Sequence, residues 1–183
     1  SIAVILDNTW ATPFFFDALG HGVDISLMAA TKYIVGHSDA MLGTVTANAK
    51  YYKQLRNTHG NLGLCVGPDD IYLGQRGLRT LAVRLKQHQQ TAMELALWLR
   101  KHPLVERVLY PALPDDPGHK LWKRDFKGAS GLFGVELKPC SLAAIAAMLD
   151  HMELFGMGWS WGGYESLIVP AHPPRTATKF EHK

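Results

Sequence analysis

Apolar residues in this chain fall first into short unbroken runs and later into a long helical stripe. Ile2 to Asp7 (IAVILD) and Val23 to Ala29 read as buried strands, because short apolar runs bounded by turn formers suit a sheet covered on both faces. Between them, ATPFFFDALGHG contains Pro13 and two glycines and leaves room for a crossover with a helical turn at most. A third strand is expected at Met41 to Ala47. Helical periodicity covers Ala49 to Thr58, then one long stretch from Asp69 to Lys101. In that stretch Leu78, Leu81, Leu85, Ala92, Leu95, Ala96 and Leu99 recur at helical spacing, and Pro103 ends it. After Pro103 the texture changes. Val105 to Tyr110 predicts a strand, Pro111 to His119 a proline-rich loop, Leu132 to Leu137 an alternating strand, and Leu142 to Met152 a short helix. The pattern predicts an α/β unit over residues 1–77 and a smaller α+β unit over 78–183, joined through the long helix.

Open parallel sheets bind ligands at the carboxyl ends of their strands, which singles out two residues. Asp7 closes the first apolar run and Lys32 follows the second. A lysine amine can condense with the aldehyde of pyridoxal phosphate, and a carboxylate can keep the pyridine nitrogen protonated so that the ring accepts electrons. Each residue alone has a plainer reading, Lys32 as a surface lysine and Asp7 as a turn cap.

Composition narrows the alternatives. With 47% apolar and 19% charged residues in 183, the chain reads as an ordinary globular protein large enough for a real core. A net charge of +3 gives no support to a nucleic-acid partner. The densest basic stretch, Lys120 to Lys127, is interrupted by Asp125 and reads as a solvated helix face. No apolar run reaches the roughly 18 residues of a membrane span, so no membrane partner is expected. Cys65 and Cys140 match no metal spacing and are expected to be buried free thiols in a reducing compartment, the cytoplasm. The nine histidines form no HExxH pair, so no metal is expected; there is no GxxxxGK or GxGxxG loop to hold a nucleotide. An apolar strand starting at residue 2, and an end at Arg175 to Lys183 with no closing element, suggest a piece of a longer protein.

Five segments then carry a resemblance. They are VILDNTW around Asp7, DISLMAATKYIVGHSDAMLGT around Lys32, RGLRTLAVRLKQH from Arg76, YPALPDDPGHKLWKRDFKGASGLFGVEL from Tyr110, and SWGGYESL from Ser160. With them the chain resembles the Cys/Met-metabolism family of pyridoxal-phosphate enzymes, and within it the members that eliminate sulfur from a β-carbon. The resemblance implies a fold type I (aspartate aminotransferase-like) α/β architecture. Residues 1–77 would be the later part of the large cofactor domain, and residues 78–183 a linking helix and an incomplete C-terminal α+β domain.

The resemblance also implies roles. Lys32 would carry the cofactor, remove the substrate α-proton and return a proton to the departing sulfur. Asp7 would pair with the pyridine nitrogen, with Asn8 and Thr9 as turn formers supporting it. The Thr31 hydroxyl would help hold the phosphate, a contact thinned by Ala29, which stands where many relatives have a second serine. Ser160 would help hold the substrate carboxylate, and Trp161 would wall the pocket. The implied cofactor is pyridoxal 5'-phosphate and the implied substrate an amino acid, L-cystathionine, cleaved to homocysteine, pyruvate and ammonia. The implied assembly is a homo-oligomer, a dimer of dimers. The family's ring-stacking tyrosine, glycine-rich phosphate loop and carboxylate-binding arginine have no counterpart here, so the 183 residues alone are expected to hold cofactor weakly and turn over poorly. Two alternatives stay open: another sulfur-amino-acid chemistry of the same family, or an inactive structural or dimerisation module.

Overall fold

A computed structural model describes residues 2–171; the expectations for Arg175 to Lys183 lie outside the described residues. Three strands form the first sheet, in the order β1 (Ile5–Asp7), β2 (Ile25–Ala29), β3 (Gly43–Ala47). β1 and β2 run parallel with Asp7 beside Leu27, and β3 returns antiparallel with Gly43 beside Ala29. The crossover between the parallel strands is short. It contains α1 (Thr12–Phe15), with Pro13 in its first turn, and a 3₁₀ turn at Leu19–His21 closed by Gly22.

The first strand differs from its expected form. It covers Ile5–Asp7 rather than Ile2 to Asp7, and it is not buried: Ile2 is 93% and Ile5 59% exposed. Among the described residues β1 is an edge strand paired only with β2, and its apolar side chains are left uncovered on the sheet face, as the exposure of Ile5 shows. Its start is fixed electrostatically instead. Asp24 accepts hydrogen bonds from Val4 N at 2.9 Å and Asn48 Nδ2 at 2.7 Å, and these hold its carboxyl below the ordinary aspartate range.

α2 (Ala49–Asn61) opens on an Asn48 cap that accepts from the backbone of Lys50 and Tyr51. The long helix expected from Asp69 to Lys101 is two helices, α3 (Pro68–Leu78) and α4 (Leu81–Leu99), with a break at Arg79 and Thr80. The apolar spacing runs through the break because Leu78 and Leu81 keep helical phase, while the backbone turns where it meets the chain after β2. The second part holds β4 (Val105–Leu109), α5 (His119–Asp125), β5 (Gly134–Leu137) and α6 (Leu142–Asp150), followed by a two-residue parallel pair, β6 (Gly156–Met157) and β7 (Leu167–Ile168). β4 and β5 pair antiparallel. The basic residues of α5 are solvent-exposed, and Arg124 pairs with Asp125. Cys65 and Cys140 are exposed, not buried. Each sits in a connecting segment between helices or strands, and such segments run over the surface.

α4 serves two cores. Its first turns give Leu81 and Leu85 to a cluster with Phe15 and Tyr33; its later turns give Ala92 and Ala96 to a cluster with Val105, Val108, Tyr110 and Leu113. The spacing 81, 85, 92, 96 keeps all four on one stripe. Leu85→Ala is therefore expected to cost about 2–5 kcal/mol in denaturant unfolding, as for other fully buried leucines. Val83→Ala, two residues away and 71% exposed, should stay within about 0.5 kcal/mol.

Candidate active site

The parallel register brings the ends of β1 and β2 together, and a hydrogen-bond chain ties them. The Ala29 amide donates to Thr9 Oγ1 at 2.8 Å, and the Thr9 hydroxyl donates to Asp7 Oδ1 at 2.5 Å. Thr9 N also donates to Asp7 Oδ1, at 2.9 Å. Asn8 is buried and donates its side-chain amide to Phe16 O. Thr9 thus supports Asp7 directly, whereas Asn8 spends its side chain on the chain after α1. Asp7 is exposed, and its Oδ2 has no hydrogen-bond donor among the described residues, so one carboxylate oxygen stays open to an incoming N–H.

After β2 the chain makes a compact turn. Val35 N bonds to Ala30 O at 2.9 Å and Gly36 N to Lys32 O at 2.8 Å. Thr31 locks this turn to the start of β3: its hydroxyl donates to Leu42 O at 3.2 Å and accepts from Leu42 N at 2.9 Å, while Thr31 N donates to Leu42 O at 2.9 Å. The Thr31 hydroxyl is thus engaged with backbone on both its donor and acceptor sides.

The loop between β6 and β7 folds over the lysine. Lys32 Nζ donates to Ser160 Oγ at 2.9 Å and lies 5.4 Å from the centroid of the Trp161 ring. Trp161 is half-buried between Trp10, 6.3 Å away, and Tyr33, 5.5 Å away. Gly162 has φ +86°, and a Cβ there would stand 3.0 Å from Lys32 C and Tyr33 N, so the loop reaches the lysine backbone only because position 162 lacks a side chain. Ser38 Oγ donates to Glu165 Oε2 at 2.8 Å, fastening the loop's far end. The structure therefore brings together Lys32, Ser160 and Trp161, and sets Asp7 at the end of the neighbouring strand. Thr31 is adjacent in sequence but points its hydroxyl at Leu42.

Three contributors were not singled out from the sequence. They are Trp10, Tyr33 and Arg84, which stand inside the matched segments with no role of their own assigned to them. Arg84 donates to Tyr33 O at 2.7 Å, Ile34 O at 3.1 Å, Gly77 O at 2.8 Å and Thr80 Oγ1 at 3.0 Å. The signal available was its place in RGLRTLAVRLKQH, one residue before the buried Leu85.

A lysine and a carboxylate with a free oxygen at the carboxyl ends of adjacent parallel strands form the donor set that pyridoxal phosphate uses, so the residues present fit that cofactor. The solved crystal structure of cystathionine gamma synthase from Xanthomonas oryzae pv. oryzae, in complex with aminoacrylate and cysteine, superimposes with a TM-score of 0.86 at 39% identity. It covers 91% of this chain and 43% of that one, which places the fold among the fold type I pyridoxal-phosphate enzymes. The family of Cys/Met metabolism PLP-dependent enzymes matches residues 1–181, and the chain belongs to it. A cystathionine beta-lyase from Salmonella typhimurium is 50% identical over 95% of this chain and 44% of its own length. An L-alanine/L-glutamate racemase from Wolbachia pipientis wMel is 50% identical over 92% of this chain and 42% of its own length. The chain thus spans less than half the length of these relatives.

His88 sits edge-on to Tyr33, with ring centroids 5.4 Å apart. Burial and then the Arg84 charge hold its pKa below the ordinary histidine value. The folded state prefers neutral His88, so the unfolded state binds more protons as pH falls, and stability is lost from about pH 6.5 downward. Thermal unfolding measured at pH 7.5 and 5.5 should show a larger drop for the wild type than for His88→Gln.

Proposed function

We propose that the intact protein containing this chain is a carbon–sulfur lyase that cleaves L-cystathionine by β-elimination to homocysteine, pyruvate and ammonia. The observation that supports this reading is the Lys32 Nζ–Ser160 Oγ hydrogen bond beside Trp161, a steadied amine that would face the α-hydrogen of an amino-acid substrate. The names of the similar lyases support the substrate. Bound pyridoxal phosphate would supply an aldehyde for the amino group and a ring that takes up the electrons released at the α-carbon.

The chain's own residues do the rest. Lys32 would hold the cofactor until an amino acid arrives, then take the α-proton on Nζ. Ser160 Oγ accepts from that amine and would keep its lone pair aimed at the α-carbon. The same nitrogen, now protonated, would deliver its proton to the sulfur as the Cβ–S bond breaks, and water would complete the release of pyruvate and ammonia. Asp7 Oδ2 would accept a hydrogen bond from the ring nitrogen, with Thr9 fixing the other oxygen. Trp161, wedged between Trp10 and Tyr33, would form a rigid wall that limits water beside the amine.

Two other outcomes rest on specific similarities. The fold neighbour named as a gamma synthase shares this architecture, and the relative named as a racemase uses closely similar sequence around it. Incubating the intact protein with L-cystathionine and identifying products separates them. Pyruvate with homocysteine is expected. 2-Oxobutyrate with cysteine would instead mark γ-cleavage, and D-amino acid formed from L-alanine or L-glutamate without elimination would mark racemisation. Lys32→Ala should abolish product formation, and Asp7→Asn should lower it by about 10² to 10³-fold, as expected for loss of a preorganised charge.

A further inference from the structure

We infer that Arg84 is a positioning residue that sets the angle and reactivity of Lys32 by completing the backbone of the turn on which the lysine stands. This inference rests on the reading of Lys32 as the cofactor-bearing amine. The turn closes with Gly36 at φ +72°, after which the chain departs, so the carbonyls of Tyr33 and Ile34 have no amide of their own segment to accept from. Tyr33 is 1% exposed, which leaves its carbonyl little access to water. Arg84 supplies both partners: Nη1 donates to Tyr33 O at 2.7 Å and Nη2 to Ile34 O at 3.1 Å.

The guanidinium is itself fixed. Nη2 also donates to Gly77 O at 2.8 Å, at the end of α3, and Nε to Thr80 Oγ1 at 3.0 Å, one turn earlier on the approach to α4. Four bonds from one planar fork thus tie the lysine turn to the break between α3 and α4. No carboxylate among the described residues pairs with Arg84, so its donors are committed to carbonyls and a hydroxyl. Burial accordingly pulls the guanidinium below the ordinary arginine range. A Cβ at position 36 would overlap the Arg84 guanidinium, so the glycine there makes room for the fork as well as the turn. The two carbonyls that Arg84 holds belong to the two residues directly after Lys32. Releasing them loosens the two peptide units that follow the Lys32–Tyr33 peptide, and with them the turn that carries the lysine, while Ser160 restrains only the tip of its side chain.

The test uses the intact protein and reads Lys32 itself. In cofactor-free protein, the rate at which Lys32 is acetylated by acetic anhydride is followed across pH by mass spectrometry. The pyridoxal-phosphate concentration for half-loading is measured separately. Arg84→Gln should raise the half-loading concentration by about tenfold and shift the pH profile of Lys32 acetylation. Arg84→Lys keeps the charge without the fork and should move both readouts in the same direction by about threefold, which keeps the test open if the glutamine variant does not fold. Leu113→Ala, in the other core, should lose stability while leaving both Lys32 readouts unchanged. Arg84 variants with wild-type profiles and loading, or with changes no different from those of Leu113→Ala, would overturn the inference. Undiminished loading of Lys32→Ala would instead overturn the underlying reading of Lys32.

Discussion

The turn from Ala30 to Gly36 must end its backbone hydrogen bonding inside the protein, and the placement of Lys32 depends on how that is done. The chain leaves a strand, makes one compact turn and departs at a left-handed glycine, so its last carbonyls need partners from elsewhere. Arg84 supplies them, and two further contacts from other regions hold the turn. Thr31 bonds the start of β3, Arg84 reaches in from α4, and the loop between β6 and β7 arrives over the top through Gly162 and Ser160. A lysine held on three sides has few ways to point.

This arrangement explains why α4 belongs to the site although none of its side chains touches the amine. Its apolar stripe fills the core beneath Tyr33 and, two turns later, the core beneath β4, so one rigid element joins the turn after β2 to the smaller part of the chain. Arg84 lies within the first of these contacts, where packing already fixes the helix. The loop carrying Ser160 and Trp161 packs on the same core through Trp161, so the groups on both sides of the amine share one foundation.

Much of this was legible in the sequence, for identifiable reasons. The strands around Asp7 and before Lys32 announce themselves as apolar runs, and the carboxyl-end rule then selects both residues. Resemblance placed Ser160 in the pocket as a carboxylate-binding residue, but its hydrogen bond to Lys32, 128 positions away, is visible only in the structure, since no local pattern encodes it. The break between α3 and α4 was hidden because Leu78 and Leu81 preserve helical phase across it. Arg84 was hidden because an arginine beside an apolar stripe has the composition of a solvated face; only the carbonyls of a distant turn show otherwise. The burial expected of β1 and of the two cysteines failed because apolar character alone does not say whether a neighbour covers it.

Under the proposed function Lys32, and no other lysine, is the amine that joins the cofactor. Borohydride reduction of the intact protein saturated with pyridoxal phosphate, followed by peptide mapping, tests it most directly. One irreversibly labelled peptide is expected, bearing the reduced cofactor on Lys32. A label on another lysine, with Lys32 unmodified, would contradict it.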